Sequence, residues 1–227
     1  MLVRVITKRG SRSAGASSAV IFGRGLSLER YPIVAPDVAD VLLANFSRKD
    51  FDNPDLRASL SNRVIHPVSN ISEPVIPITK LGEVTIGNVY FCRPGASSSG
   101  GDKDRRMSFK LNRYGKKVEY FPSDLADGFD LYPNTGLLSI YLAVAGWGVG
   151  ECWLFGFDFY ENDYISGPLI GQMGSEEAVL NQHKVGAQVK SELLDLVNHF
   201  PKVQFRIYTY GNIVDPPSNL FVEHLSN

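Results

Sequence analysis

Cysteine is scarce in this chain, with two among 227 residues, Cys92 and Cys152, and no Cys-x-x-Cys. That excludes a zinc-finger framework and a disulfide-rich secreted fold as main explanations. Long apolar runs are missing too. The longest, around Leu137 to Phe159, is broken by Gly146, Gly148, Gly150 and Glu151, so it does not read as a membrane span. The four histidines, His66, His183, His199 and His224, have no metal-ligand spacing and form no His-Glu-x-x-His. Charge of one sign is also lacking. Against 23 Lys+Arg stand 24 Asp+Glu, a net charge of -1, which argues against a whole-surface nucleic-acid binder but leaves room for one basic groove. Arg4, Lys8, Arg9 and Arg12 are not followed by a signal-peptide core, so the expected location is cytoplasmic. The first 30 residues hold six basic side chains and one acid, a balance that suits weak peripheral attachment to the anionic inner face of the cytoplasmic membrane.

What is present suits an ordinary core. Hydrophobic residues make up 44% and charged residues 21%, and a chain of this length buries roughly 70% of its unfolded surface. A single domain over residues 1–227 is expected. Ala19-Val20-Ile21-Phe22 reads as a buried strand ended by Gly23-Arg24-Gly25, and Val38 to Ala44 as a second strand. Val64-Ile65 and Pro74 to Ile78 read as short strands, and Val84 to Cys92 as a strand interrupted at Gly87-Asn88. Asn134 or Thr135 caps a buried helix through Leu137 to Ala145, with Gly146 near its end. Cys152 to Phe155 is an interior strand. A long helix runs from about Ser175 to His199, with Val185, Val189, Leu193, Leu196 and Phe200 on one stripe and Lys184, Lys190, Glu192 and Asp195 largely elsewhere. Val203 to Tyr210 is a further strand. Strands alternate with helices and are continuous apolar runs, which predicts an α/β, Rossmann-like domain with a mostly parallel sheet flanked by helices.

Between Arg93 and Asp104 the chain reads as a mobile loop, and Asp102 to Glu119 carries seven basic and three acidic residues. Residues 93–117 are thus either a solvated face or a lid that meets an anionic substrate. In parallel sheets, ligands gather at the carboxyl ends of the strands. Three unusual segments fall there. Gly23-Arg24-Gly25-Leu26-Ser27 can turn tightly and offer backbone N–H groups to an anion, or is a tight turn only; neither the dinucleotide nor the Walker pattern is met. Tyr132-Pro133-Asn134-Thr135-Gly136 stands at the helix mouth, where unpaired donors suit a ribose or a base, or is a plain helix cap. Gly156 to Tyr164 presents Asp158, Tyr160 and Tyr164, with Glu161 and Asp163 as a weak acidic pair. His183, near the start of the long helix, is by itself an ordinary surface or capping residue.

Together these residues resemble the bacterial sialyltransferases of glycosyltransferase family forty-two, over most of the chain from about Ser18 to Asn227. The family's strand followed by Gly-Asn-Gly-Pro-Ser-Leu is similar to Ala19-Val20-Ile21-Phe22-Gly23-Arg24-Gly25-Leu26-Ser27-Leu28. Its active-site asparagine after the next strand is similar to Asn45. Its Thr-Gly helix start resembles Pro133-Asn134-Thr135-Gly136, its Gly-Ile-Asp-Phe-Tyr segment Gly156-Phe157-Asp158-Phe159-Tyr160, and its catalytic histidine aligns with His183. Pro217-Ser218-Asn219-Leu220-Phe221 is similar to a family segment near the nucleotide pocket. The departures are Arg24 in place of asparagine and Leu26 in place of proline.

The resemblance implies a GT-A-like variant of the fold and inverting transfer of sialic acid from CMP-sialic acid to a glycan hydroxyl, in polysaccharide or lipopolysaccharide biosynthesis, with no cofactor and no metal. It implies His183 as general base, Tyr160 and Tyr164 as hydrogen-bond donors to the departing phosphate, and Gly23, Arg24, Gly25, Ser27 and Asn45 around that phosphate. Asn134, Thr135 and Gly136 would hold ribose and cytosine, and Asp158 would organise the site. Family members assemble as homo-oligomers and work at the inner membrane. The alternatives are a transferase using CMP-Kdo or a related keto-acid sugar, and a noncatalytic nucleotide- or glycan-binding protein on the same sheet.

Overall fold

The computed structural model describes residues 17–31, 40–69, 84–91, 118–120, 134–168, 170–171 and 174–226. The expected strand Pro74 to Ile78, the loop after Arg93 and the 93–117 lid lie outside these residues.

Strand β1 (Ser18–Phe22) is the centre of the sheet. Beside it on one side lies β2 (Asp40–Ala44), then β3 (Val64–Ser69), which continues past the two residues expected of it. Along β3 pair both β4 (Thr85–Ile86) and β5 (Val89–Phe91), the two halves of one strand broken at Gly87-Asn88, and beyond β5 lies β6 (Val118–Tyr120). On the other side of β1 come β7 (Glu151–Phe155), β8 (Gln204–Thr209) and β9 (Leu220–His224). Every one of these pairings is parallel, so the connections must cross over the sheet and the strands are covered.

Side chains alternate between two core layers. Ala19, Ile21, Leu42, Cys152 and Leu154 face helix α2 (Thr135–Tyr141) and helix α3 (Glu176–His199), whose Leu137, Ile140, Val189, Leu193 and Leu196 fill that side. Val20, Phe22, Val41, Leu43 and Phe155 face the 3-10 turn Leu26–Arg30 and helix α1 (Pro54–Leu60), with Tyr31, Phe46 and Phe51 between them. Each helix start has a chemical reason. The Asn53 side chain accepts from the N–H groups of Asp55 and Leu56, Asn134 from Leu137, and Ser175 from Ala178. Helix α2 does not end at Gly146 as an α-helix; its last turn, Leu142–Gly146, widens to a π-turn in which the Trp147 N–H reaches back to Leu142.

The order has a consequence for ligands. From β1 the chain adds strands outward through β6, then returns to place β7 against β1 and continues the other way. The crevice beyond the carboxyl ends of β1 and β7, where Phe22 pairs with Phe155, is the topological switch point. No described helix is long and apolar enough to cross a membrane.

Candidate functional site at the switch point

The turns that leave β1 and β7 touch each other. The Gly23 N–H donates to Phe155 O (2.7 Å) and the Gly25 N–H to Gly156 O (2.9 Å). A side chain on Gly23 would meet Gly156 O at 2.3 Å, and one on Gly25 would meet the Asp158 carboxylate at 2.3 Å, so both glycines are required by close approach of protein to protein. Asp158, 3% exposed, ties the turns down. Its Oδ2 accepts from the Ser27 N–H (2.9 Å), and its Oδ1 from the Tyr210 N–H and the Thr209 hydroxyl (3.1 Å each). Both oxygens accept from the chain around them, so this carboxylate joins the β1 turn to the end of β8.

Around this knot opens a cleft of about 440 Å³. Its floor is the turn Gly23-Arg24-Gly25 with Gly156 to Tyr160, one wall is Asn134-Thr135-Gly136 at the start of α2, and Ala44 and Asn45 close one end. The opposite wall is the α3 face bearing Gln182, Val185, Gln188, Val189 and Glu192. That wall is held close by Gly186, where an added side chain would overlap Phe159 O. Of the residues expected from sequence, the cleft gathers Gly23, Arg24, Gly25, Asn45, Asn134, Thr135, Gly136, Asp158, Tyr160 and Tyr164.

Two expected residues are not in the lining. Ser27 is fully buried; its hydroxyl accepts the Gly156 N–H and its own N–H goes to Asp158, so it locks the two turns and faces no ligand. His183 lies exposed on α3, one position from Gln182 and so about 100° round the helix from that cleft residue. Three further expectations change. The N–H groups of Gly23, Gly25 and Ser27 are all taken within the protein, so they cannot cradle a phosphate. Gly136 is small because the Phe157 ring packs there, 2.8 Å from where a side chain would begin. Asn219 binds the carbonyls of Val197, Phe200 and Val203, at the amino end of β9 and the opposite end of the sheet from the cleft. Glu161, weighed as half of an acidic metal pair, is instead ion-paired to Lys190 and accepts the Asn212 N–H.

The cleft stores strain. Asn45 (φ 56°), Phe159 (φ 52°) and Tyr160 (φ 58°) are all left-handed, and each is a lining residue without glycine's freedom. Such backbone costs on the order of 1–3 kcal/mol per residue and clusters at binding sites. Thr135 adds a second sign. It is 2% exposed and its Oγ1 has no hydrogen-bond partner, an unmet group of the kind a bound ligand satisfies.

The two tyrosines face each other edge to face at 6.3 Å. Burial pushes the Tyr160 phenol up, against the opposing effects of hydrogen bonds to Gln182 and Asn134 and of the Arg24 charge. Tyr164 is pushed up to about 12, first by burial and then by Tyr160, with Arg24 acting the other way. Both phenols therefore remain protonated, and able to donate, through the neutral range.

Sequence reasoning missed Glu192, which it set off the apolar stripe. Val185, Val189 and Glu192 recur at four and three residues and so share a face of α3. It missed Asp50 and Ser166, partners of Arg24 that lie 26 and 142 residues away from it and leave no local signal. Compared with protein-family models, curated proteins and solved structures, the chain matches none of them.

Proposed function

We propose that this domain is an inverting glycosyltransferase, a GT-A-like variant of the fold, that moves sialic acid from CMP-sialic acid to a glycan hydroxyl. The observation that carries the reading is the pair of protonated tyrosines, Tyr160 and Tyr164, beside Arg24 in a cleft at the switch point. In the reaction the acceptor oxygen forms a bond to the anomeric carbon while the bond from that carbon to the phosphate oxygen breaks. The acceptor's proton must go to a base, and the phosphate, gaining charge, must find donors. Tyr160 and Tyr164 supply those donors, Asn134 and Thr135 bind ribose or base, and Asn45 borders the phosphate side.

His183 is the base in this reading, reaching the acceptor from the rim beside Gln182. Release of CMP from CMP-sialic acid and from CMP-Kdo, with and without acceptor, tests the proposal and separates the two donors. His183→Ala should lower turnover roughly 100-fold or more with nucleotide affinity kept; near-normal transfer would move the base role elsewhere, Glu192 being the carboxylate that α3 brings to the lining in addition to Asp158. The exposed position of His183 outside the lining favours one second reading, a nucleotide- or glycan-binding protein without transferase activity. Binding of CMP with no sugar transfer from either donor would establish that reading instead.

A further inference from the structure

We infer that Arg24 is the anion-recognition residue of the cleft, its guanidinium fixed by the buried Asp50 so that its remaining N–H groups take the phosphate or carboxylate of the ligand. The inference rests on the nucleotide-sugar reading for its probes, and its geometry comes from the site alone. The N–H groups of Gly23, Gly25 and Ser27 are not available to an anion in this cleft, because they are committed to Phe155 O, Gly156 O and Asp158. The charged donor that this turn brings to the lining is the Arg24 side chain.

Arg24 lines the cleft and is held on three sides. Its Nε–H donates to Asp50 Oδ1 at 3.2 Å, one Nη2–H donates to Ser166 Oγ at 3.1 Å, and Cζ sits 4.6 Å from the centre of the Tyr164 ring. A guanidinium has five N–H donors, so three have no partner among the described residues. The holder is itself fixed. Asp50 is 0% exposed, and its other oxygen accepts from the Ser47 N–H at 2.7 Å and the Ser47 hydroxyl at 2.9 Å. With the Arg24 side chain only 19% exposed, the fork is oriented and partly dry before any ligand arrives, the condition under which charge-assisted bonds are strong. Its charge acts on both Tyr160 and Tyr164, and the Tyr164 ring packs against it. The carboxylates in the lining are both engaged, Asp158 by the Ser27 and Tyr210 N–H groups and Glu192 by Gln188. Asp50 offsets part of the charge, so planar geometry and not bare charge should set affinity, and lysine should be a poor substitute.

Calorimetric titration of the full chain with CMP, cytidine, free sialic acid and inorganic phosphate tests this. The variant is Arg24→Gln combined with Asp50→Asn, because Gln alone would leave a buried carboxylate uncompensated. Arg24→Lys, which keeps that charge paired, serves as the second variant. The wild type should bind CMP at least about tenfold more tightly than cytidine, and the double variant should bind the two alike, with cytidine affinity unchanged; Arg24→Lys should lose several-fold for CMP. Loss for phosphate compounds assigns Arg24 to the phosphate, and loss for free sialic acid assigns it to the carboxylate. If both variants keep the full preference for CMP, the inference falls while the nucleotide reading stands. If the wild type binds inorganic phosphate through Arg24 but no cytidine compound, the nucleotide reading falls while the inference stands. If it binds no anion, both fall.

Discussion

Two polar clusters of similar composition sit in this sheet, and they differ in how completely their atoms are paired. At the start of β2 and β3, His66 is 8% exposed with Nε2 3.0 Å from Asp40 Oδ1, while its Nδ1 accepts the Asn88 N–H at 3.0 Å. The acceptor role of Nδ1 puts the proton on Nε2, so the ring donates to Asp40 and both nitrogens are used. Trp147 packs edge-on at 5.1 Å and its Nε1–H points to the Tyr90 hydroxyl at 3.4 Å. No residue of this cluster has a left-handed backbone. At the switch point the same kinds of group behave differently: Thr135 Oγ1 is unmatched, three guanidinium N–H groups have no described partner, and three non-glycine residues are left-handed. An Asp-His pair is a familiar signature of catalysis, yet here it is the saturated, structural cluster. Trp153 Nε1 is unmatched as well and lies outside the cleft, so it is the coincidence of an unmatched hydroxyl, an oriented cation and left-handed backbone that sets the switch point apart.

The sharpest way to break this contrast is to unpair the knot beneath the cleft. Asp158→Ala strands the Ser27 and Tyr210 N–H groups beneath the cleft, while the Thr209 hydroxyl keeps its bond to Phe157 O at 2.8 Å. At 1–3 kcal/mol for each of the two unsatisfied groups, stability should drop by about 3 kcal/mol. Urea unfolding at constant m-value measures it. A loss under about 1 kcal/mol would mean that the β1 and β7 turns do not depend on this carboxylate, and the cleft floor would lose its account.

A smaller effect with a different signature is expected at the saturated cluster. His66→Ala removes the ring against Trp147 and its hydrogen bonds with the Asn88 N–H and Asp40, which should cost about 2–3 kcal/mol. Its affinity for CMP should match the wild type at temperatures where both are folded. A tenfold loss of CMP binding in that variant would show that the two clusters are coupled and the distinction between them is false.

Much of the fold was legible because it rests on short-range pattern. Ala19 to Phe22, Leu42 to Ala44 and Cys152 to Phe155 are apolar runs of the kind a covered parallel strand requires, and Asn134 and Ser175 are capping residues in the expected places. Strand β9 was not legible. At the sheet edge only its first residue, Leu220, is buried, so Phe221 to His224 carry no continuous apolar run. The site was legible as a set of strand and helix ends, and ten of its expected residues meet in one cleft. What remained hidden was the use of each atom. Nothing in Gly-Arg-Gly discloses that its glycine N–H groups face Phe155 and Gly156, or that Asp50 stands beside Arg24, because these pairings span 26 residues or more. His183 was placed by its position on the helix, but a helix turns about 100° per residue. One step separates the cleft face at Gln182 from the exposed face at His183.

The finest test concerns the stored strain. Asn45 is left-handed at φ 56°, its N–H donates to Val68 O at 2.8 Å, and the Ser69 hydroxyl lies 3.4 Å from its Oδ1. Asparagine tolerates this region better than most residues, and glycine better still. Asn45→Gly should therefore change stability by less than about 1 kcal/mol, strain relief offsetting the extra freedom of the unfolded chain, while Asn45→Ala keeps the strain and loses the side chain, costing about 1–2 kcal/mol. If Asn45 borders the phosphate, both variants should lose CMP affinity equally although their stabilities differ. Equal stabilities would show that the backbone at Asn45 relaxes freely. Unchanged CMP affinity in both would show that its left-handed turn serves the connection from β2 and not the ligand.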